Sequence, residues 1–120
     1  MSADFIAHLQ DLFAPLGPIS ARAMFGGHGI YHDGVIIGIV IDDALYLKTD
    51  EATRPQFAAA GCAPFVYEGQ KQPITTSYWS LPESAMDSPQ AMLPWARLAV
   101  AAALRKANAP KKRAARKPRR

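Results

Sequence analysis

Two histidines and an aspartate stand within one six-residue stretch, His28-Gly29-Ile30-Tyr31-His32-Asp33. These residue types bind metal when their spacing lets them converge. On a single extended strand the two rings stand roughly 13 Å apart, too far to share an ion. No carboxylate or thiol is spaced to complete a set, so no metal site is expected. The preceding run, Phe25-Gly26-Gly27-His28-Gly29, has the glycines of a phosphate cradle but lacks its context. It has no third glycine in GxGxxG register, and a strand pattern rather than a helix follows. It is expected to shape a strand by a bend or bulge.

Cys62 is the single cysteine. A catalytic thiol needs a neighbouring base and a lowered pKa, and nothing in the spacing brings His8, His28 or His32 to it. It is expected to be a small half-buried residue beside the turn at Gly61. Asp42-Asp43 and Asp50-Glu51 fall where turns and helix starts use acids, so paired-carboxylate catalysis has no separate support. Tyr67, Tyr78 and Trp79 have the chemistry of a base-stacking platform. Only Lys71 is interleaved with them, so core or dimer packing is expected instead. No catalytic residue, metal or cofactor emerges, and the chain is expected to be non-enzymatic.

Charge is the strongest chemical signal. Residues 111–120, KKRAARKPRR, hold seven of the fourteen basic residues: Lys111, Lys112, Arg113, Arg116, Lys117, Arg119 and Arg120. Residues 1–110 carry seven basic against ten acidic side chains, a net of −3, so the pI near 9.5 belongs to the tail. A tail of this kind attracts nucleic acid or anionic membrane by counterion release, or stands as a solvated extension with no dedicated partner. A single thiol, no basic leader and no apolar run near membrane-spanning length together suggest a cytoplasmic protein without a membrane partner.

The elements that must carry these residues follow from patterning. Phe5, Leu9, Leu12 and Leu16 form an amphipathic helical stripe, closed by Pro15 and Gly17-Pro18. After a linker, Met24–Lys48 is expected to form three strands, with Asp33-Gly34 as a type I′ hairpin turn and Asp42-Asp43 as a second turn. Strict alternation puts Val35, Ile37, Ile39 and Ile41 on one face, with Gly38 leaving room for a helix on the other. A short helix near Pro55 and Phe57 ends at Gly61. Strands over 65–68 and 74–79 follow, then a helix from Ser88-Pro89 to about Ala107 with Met92, Ala96, Ala99 and Ala103 on one stripe. The expected fold class is α+β, a two-layer sandwich with a mainly antiparallel five-stranded sheet, helices on one face, and order α-β-β-β-α-β-β-α. The domain is expected over residues 1–108, with a disordered basic tail over 109–120.

The run Arg22-Ala-Met-Phe-Gly-Gly-His-Gly-Ile-Tyr-His-Asp-Gly resembles the opening of the TfoX/Sxy N-terminal domain family. So do Asp43-Ala-Leu-Tyr-Leu-Lys-Thr-Asp, Arg54-Pro-Gln-Phe-Ala-Ala-Ala-Gly, Pro64-Phe-Val-Tyr, Ser77-Tyr-Trp and Trp95-Ala-Arg, in order along roughly residues 5–107. The resemblance implies an antiparallel α+β sandwich and a role in transcription and competence regulation. In longer members the domain acts with a cyclic-AMP receptor protein and is joined to a helical C-terminal domain; this chain resembles a stand-alone version. It also implies a homodimer, a transcription-machinery protein as partner, and no catalytic residues. The expected function is therefore a regulatory module working through protein contacts, with tail-assisted DNA binding. The alternative is a stand-alone protein-interaction or ligand-binding domain without a DNA role.

Overall fold

The computed structural model describes residues 3–24, 26–68 and 71–108. Helix α1 (Ala3–Leu12) precedes four strands, β1 (Ser20–Met24), β2 (Gly27–His32), β3 (Val35–Ile41) and β4 (Ala44–Lys48). Helix α2 (Arg54–Ala59), strands β5 (Pro64–Glu68) and β6 (Pro73–Trp79), a 3-10 turn at Glu83–Met86 and helix α3 (Pro89–Asn108) complete the chain. One antiparallel sheet runs β1-β2-β3-β4-β6-β5, and the fold is α+β as expected.

The sheet has six strands rather than five, because Ser20–Met24 is not a linker. Gly26, at φ +78°, allows a tight reversal that lays Met24 opposite Gly27 and Ser20 opposite Tyr31. Small residues and a lone arginine give Ser-Ala-Arg-Ala-Met little strand signature of its own; pairing with β2 makes it a strand. Gly27 serves a different purpose. A Cβ there would lie 2.0 Å from the Val40 carbonyl oxygen, so only glycine lets β2 and β3 approach at this point.

The strict alternation expected for β3 does not hold. Gly38 pairs with Ile30 but Ile36 pairs with Tyr31, so Ile37 is the extra residue of a β-bulge. The bulge reverses the parity of the strand. Ile37 and Val40 enter the core, while Ile39 and Ile41 stay half-buried on the far face. Gly38 makes no room for a helix: a Cβ there would meet the Tyr46 carbonyl at 2.8 Å and the Leu47 side chain at 3.1 Å. The Asp33-Gly34 and Asp42-Asp43 turns form as expected, each with both residues at positive φ.

One face of the sheet is covered. Leu9, Leu12 and Phe13 from α1 and its following turn join Met92, Ala96, Ala99 and Ala103 of α3 over Ile30, Ile37, Val40, Leu45 and Leu47. The alanine stripe of α3 lets the helix backbone sit close to β3 and β4. Ser88 caps α3 by accepting from Ala91 N–H at 3.1 Å, with Pro89 as the first helical residue. Phe57 of α2 is fully buried, with its ring 5.0 Å from Trp95 and 6.5 Å from Trp79 in edge-on contacts. Truncating it to alanine should cost about 3–5 kcal/mol.

Candidate nucleic-acid interface

Among the described residues, the opposite face of the sheet has no helix over it. In β4, Leu45 and Leu47 are buried, so the alternating Tyr46 and Lys48 point away from the helices. By the same alternation Tyr31 lies opposite Ile30, and Tyr78 opposite Trp79, which packs on the core. Gly29 confirms the face, since a Cβ there would meet Tyr31, Ile36 and Met24. The Phe65 ring lies 4.9 Å from Tyr46, and Tyr67, paired with Ile74, is 47% exposed. The Arg22 guanidinium sits 5.6 Å from the Tyr31 ring centre, and the Lys48 ammonium 5.0 Å from that of Tyr78. Burial, with the Tyr31 hydroxyl as a smaller cause, pushes the Tyr78 hydroxyl pKa up.

At the Lys48 end, cations from distant parts of the chain meet. Lys48 donates to Ser77 Oγ at 2.7 Å, and Arg54 Nε donates to Thr49 Oγ1 at 3.1 Å. Arg105, in the last turn of α3, holds Asp50 through two bonds of 2.5 and 3.0 Å. Burial lowers the Lys48 pKa, and the charges of Lys106 and Arg54 lower it further, while Asp50 acts in the other direction. Four of the seven basic residues before position 111 thus gather at one end of the sheet, at positions 48, 54, 105 and 106. Sequence reasoning missed this cluster because its members are up to 58 positions apart. The outward parity of Lys48 in β4 was the one legible signal.

The seven tail residues Lys111, Lys112, Arg113, Arg116, Lys117, Arg119 and Arg120 lie outside the described residues. The other residues singled out by type do not converge. His28 and His32 sit at opposite ends of β2. His32 Nδ1 lies 2.8 Å from the Pro18 carbonyl oxygen and Nε2 lies 3.4 Å from Asp33, and these contacts tie α1's exit to the hairpin turn. His28 Nδ1 is buried without a hydrogen-bond partner among the described residues. The described residues contain no group of three or more His, Cys, Asp or Glu able to hold a metal. Cys62 is half-buried and packs against the core. Burial raises its thiol pKa, outweighing a hydrogen bond with Ser80 that lowers it. A shallow groove lined by Gln10, Ala14, Gly17, Pro18 and Ile19 holds no titratable side chain. No described helix is long and apolar enough to cross a membrane. Of the three aromatics named from sequence, Trp79 is a core residue, whereas Tyr67 and Tyr78 belong to the open face.

A family model described as the TfoX N-terminal domain matches residues 11–103. The chain belongs to the TfoX N-terminal domain family. It is similar to a protein of Aliivibrio fischeri (strain ATCC 700601 / ES114) named DNA transformation protein TfoX1, at 26% identity over 92 residues. The match covers 73% of this chain and 44% of that relative, so the chain spans less than half of the relative's length. The family match over residues 11–103 holds the β2–β4 meander, Lys48, Arg54 and most of α3. Lys106 and the tail fall beyond residue 103.

Proposed function

We propose that this TfoX-family chain is a non-enzymatic, cytoplasmic regulatory module. It acts in transcription or competence regulation by contacting a transcription-machinery protein, with the basic residues 111–120 holding DNA. Charge carries the reading: the body has net −3, while seven cations fall within the last ten residues. The similarity to a protein named for DNA transformation supports the biological setting. The Lys48–Arg54–Lys106 cluster lies at the end of the sheet reached by the last turn of α3, from which the tail continues. Seven duplex phosphate contacts give a slope of log affinity against log salt of about −6. The test compares duplex DNA binding by the full chain and by a chain lacking residues 110–120. Loss of most of the affinity and of the salt slope is expected. Equal binding by the shortened chain sinks the tail assignment.

One observation favours protein contact, including self-association, as a second reading. Among the described residues strand β5 is an edge, attached to β6 alone, and Val66 on it is 45% exposed. An exposed apolar edge strand is a template for pairing with another chain. Two copies joined along β5 would make the homodimer continuous through one sheet.

A further inference from the structure

We propose that the open sheet face and the cation cluster at its Lys48 end bind single-stranded nucleic acid, with bases against Tyr78, Tyr46 and Phe65 and phosphates at Lys48, Arg54 and Lys106. The inference shares with the proposed function only the chemical class of ligand. It assigns the contact to the folded body rather than to residues 111–120.

Three observations lead there. The first is the aromatic array. Tyr46, Tyr78 and Phe65 come from the three neighbouring strands β4, β6 and β5 and lie on the side that no described helix covers. Stacking on such rings is the sequence-tolerant way to hold unpaired bases. The second is charge complementarity. The body is acidic overall, yet Glu68 at the end of β5 is the only carboxylate in all six strands. The acids sit instead in turns, loops and helices, while Arg22 and Lys48 stand on the open face over Tyr31 and Tyr78. Among the described residues the cluster contains one ion pair with a carboxylate, Arg105 with Asp50. Phosphates would supply the charge that Lys48, Arg54 and Lys106 lack. The third is continuity. In sequence, Lys106 is followed within fourteen positions by the seven basic residues of 111–120.

The shape of the surface selects single strands. The undistorted major groove admits a helix or a two-stranded ribbon, whereas the broad face of a six-stranded sheet would engage a duplex only by deforming it. Splayed bases can lie on such a face.

The experiment uses the full chain and fluorescence anisotropy with labelled oligothymidylate of about twenty nucleotides, against a duplex of equal length. The oligothymidylate should be preferred. The double substitution Lys48→Gln/Lys106→Gln should reduce the steepness of its salt dependence by about 1.4. Tyr78→Leu should weaken its binding at least about fivefold while leaving duplex binding unchanged. Lys106 is exposed, so Lys106→Gln alone provides a variant without folding risk, and thermal melts check the others. Variants that bind oligothymidylate like the parent overturn the inference, even where tail deletion abolishes duplex binding and that reading stands. Conversely, Tyr78-sensitive oligothymidylate binding that survives tail deletion supports it whatever the duplex result. A face closed by a second copy, seen as a doubled mass that Tyr78→Leu halves, also overturns it.

Discussion

Arg105 and Asp50, 55 residues apart, are joined by a two-bond ion pair that fastens the last turn of α3 to the loop after β4. The same carboxylate accepts from the backbone N–H groups of Ala52 and Thr53, both at 3.1 Å, and so shapes the entry to α2. Asp50 therefore acts as a clasp between three elements, while the arginine holding it belongs to the cation cluster.

The clasp predicts a pH dependence. The Arg105 hydrogen bond, followed by backbone hydrogen bonding at Thr53, holds the Asp50 pKa down to about 2 from an ordinary 3.8. A depressed carboxylate stabilises the fold above its unfolded value, and that contribution is lost as pH falls from about 4 through about 2. Half the Arg105 side chain is exposed, so solvent screening keeps the ion pair's own contribution small. Urea denaturation of Asp50→Asn should show a deficit near neutral pH that shrinks towards pH 2. A pH-independent deficit would assign the effect to the loop bonds alone.

Gly27→Ala should be the most damaging single-atom change in the sheet. Its Cβ meets a backbone carbonyl at 2.0 Å, which no rotamer change relieves. A loss of about 3 kcal/mol is expected in chemical denaturation. Gly26→Ala should cost about 1–2 kcal/mol through the positive φ alone. A smaller effect at Gly27 than at Gly26 would contradict the close-approach account.

Lys106→Gln should raise the Lys48 pKa, because it removes one of the like charges now lowering it. NMR titration of the lysine side-chain carbons reads this directly. No movement of the Lys48 resonance would separate the two residues and dissolve the cluster.

Cys62 should react with iodoacetamide more slowly than free cysteine at pH 7.5, since burial keeps it in the thiol form. Reaction at or above the free-cysteine rate would reopen the nucleophile reading.

On the proposed pairing along β5, the parent chain should sediment as a dimer and Val66→Lys as a monomer that keeps the folded spectrum, since a lysine on an edge strand blocks pairing. An unchanged dimer would place self-association elsewhere.

The sequence made the helices and turns legible because their signals are local. Ser88-Pro89, Asp33-Gly34 and the Met92–Ala103 stripe each need only near neighbours to take effect. Strand β1 was not legible, since Ala21 and Ala23 have no β-preference and the strand exists through its pairing with β2. The faces of β3 were misjudged after Ile37 because a bulge depends on two strands and leaves no mark in either alone. The open-face aromatics were judged by their interleaved charge along the chain. Their cations, Arg22 and Lys48, come instead from other strands. Tertiary pairing, not local pattern, composed the candidate site.

The bulge at Ile37 also bears on how the family should be aligned. Before it, β3 sends odd-numbered residues inward; after it, even-numbered ones. A relative lacking the residue at Ile37 would keep an uninterrupted alternation, with Val40 still inward and Ile39 and Ile41 still outward. Matching such sequences without a gap at this point would pair residues from opposite sides of the sheet. A one-residue deletion at this position can therefore be absorbed by the bulge without moving surface chemistry between faces.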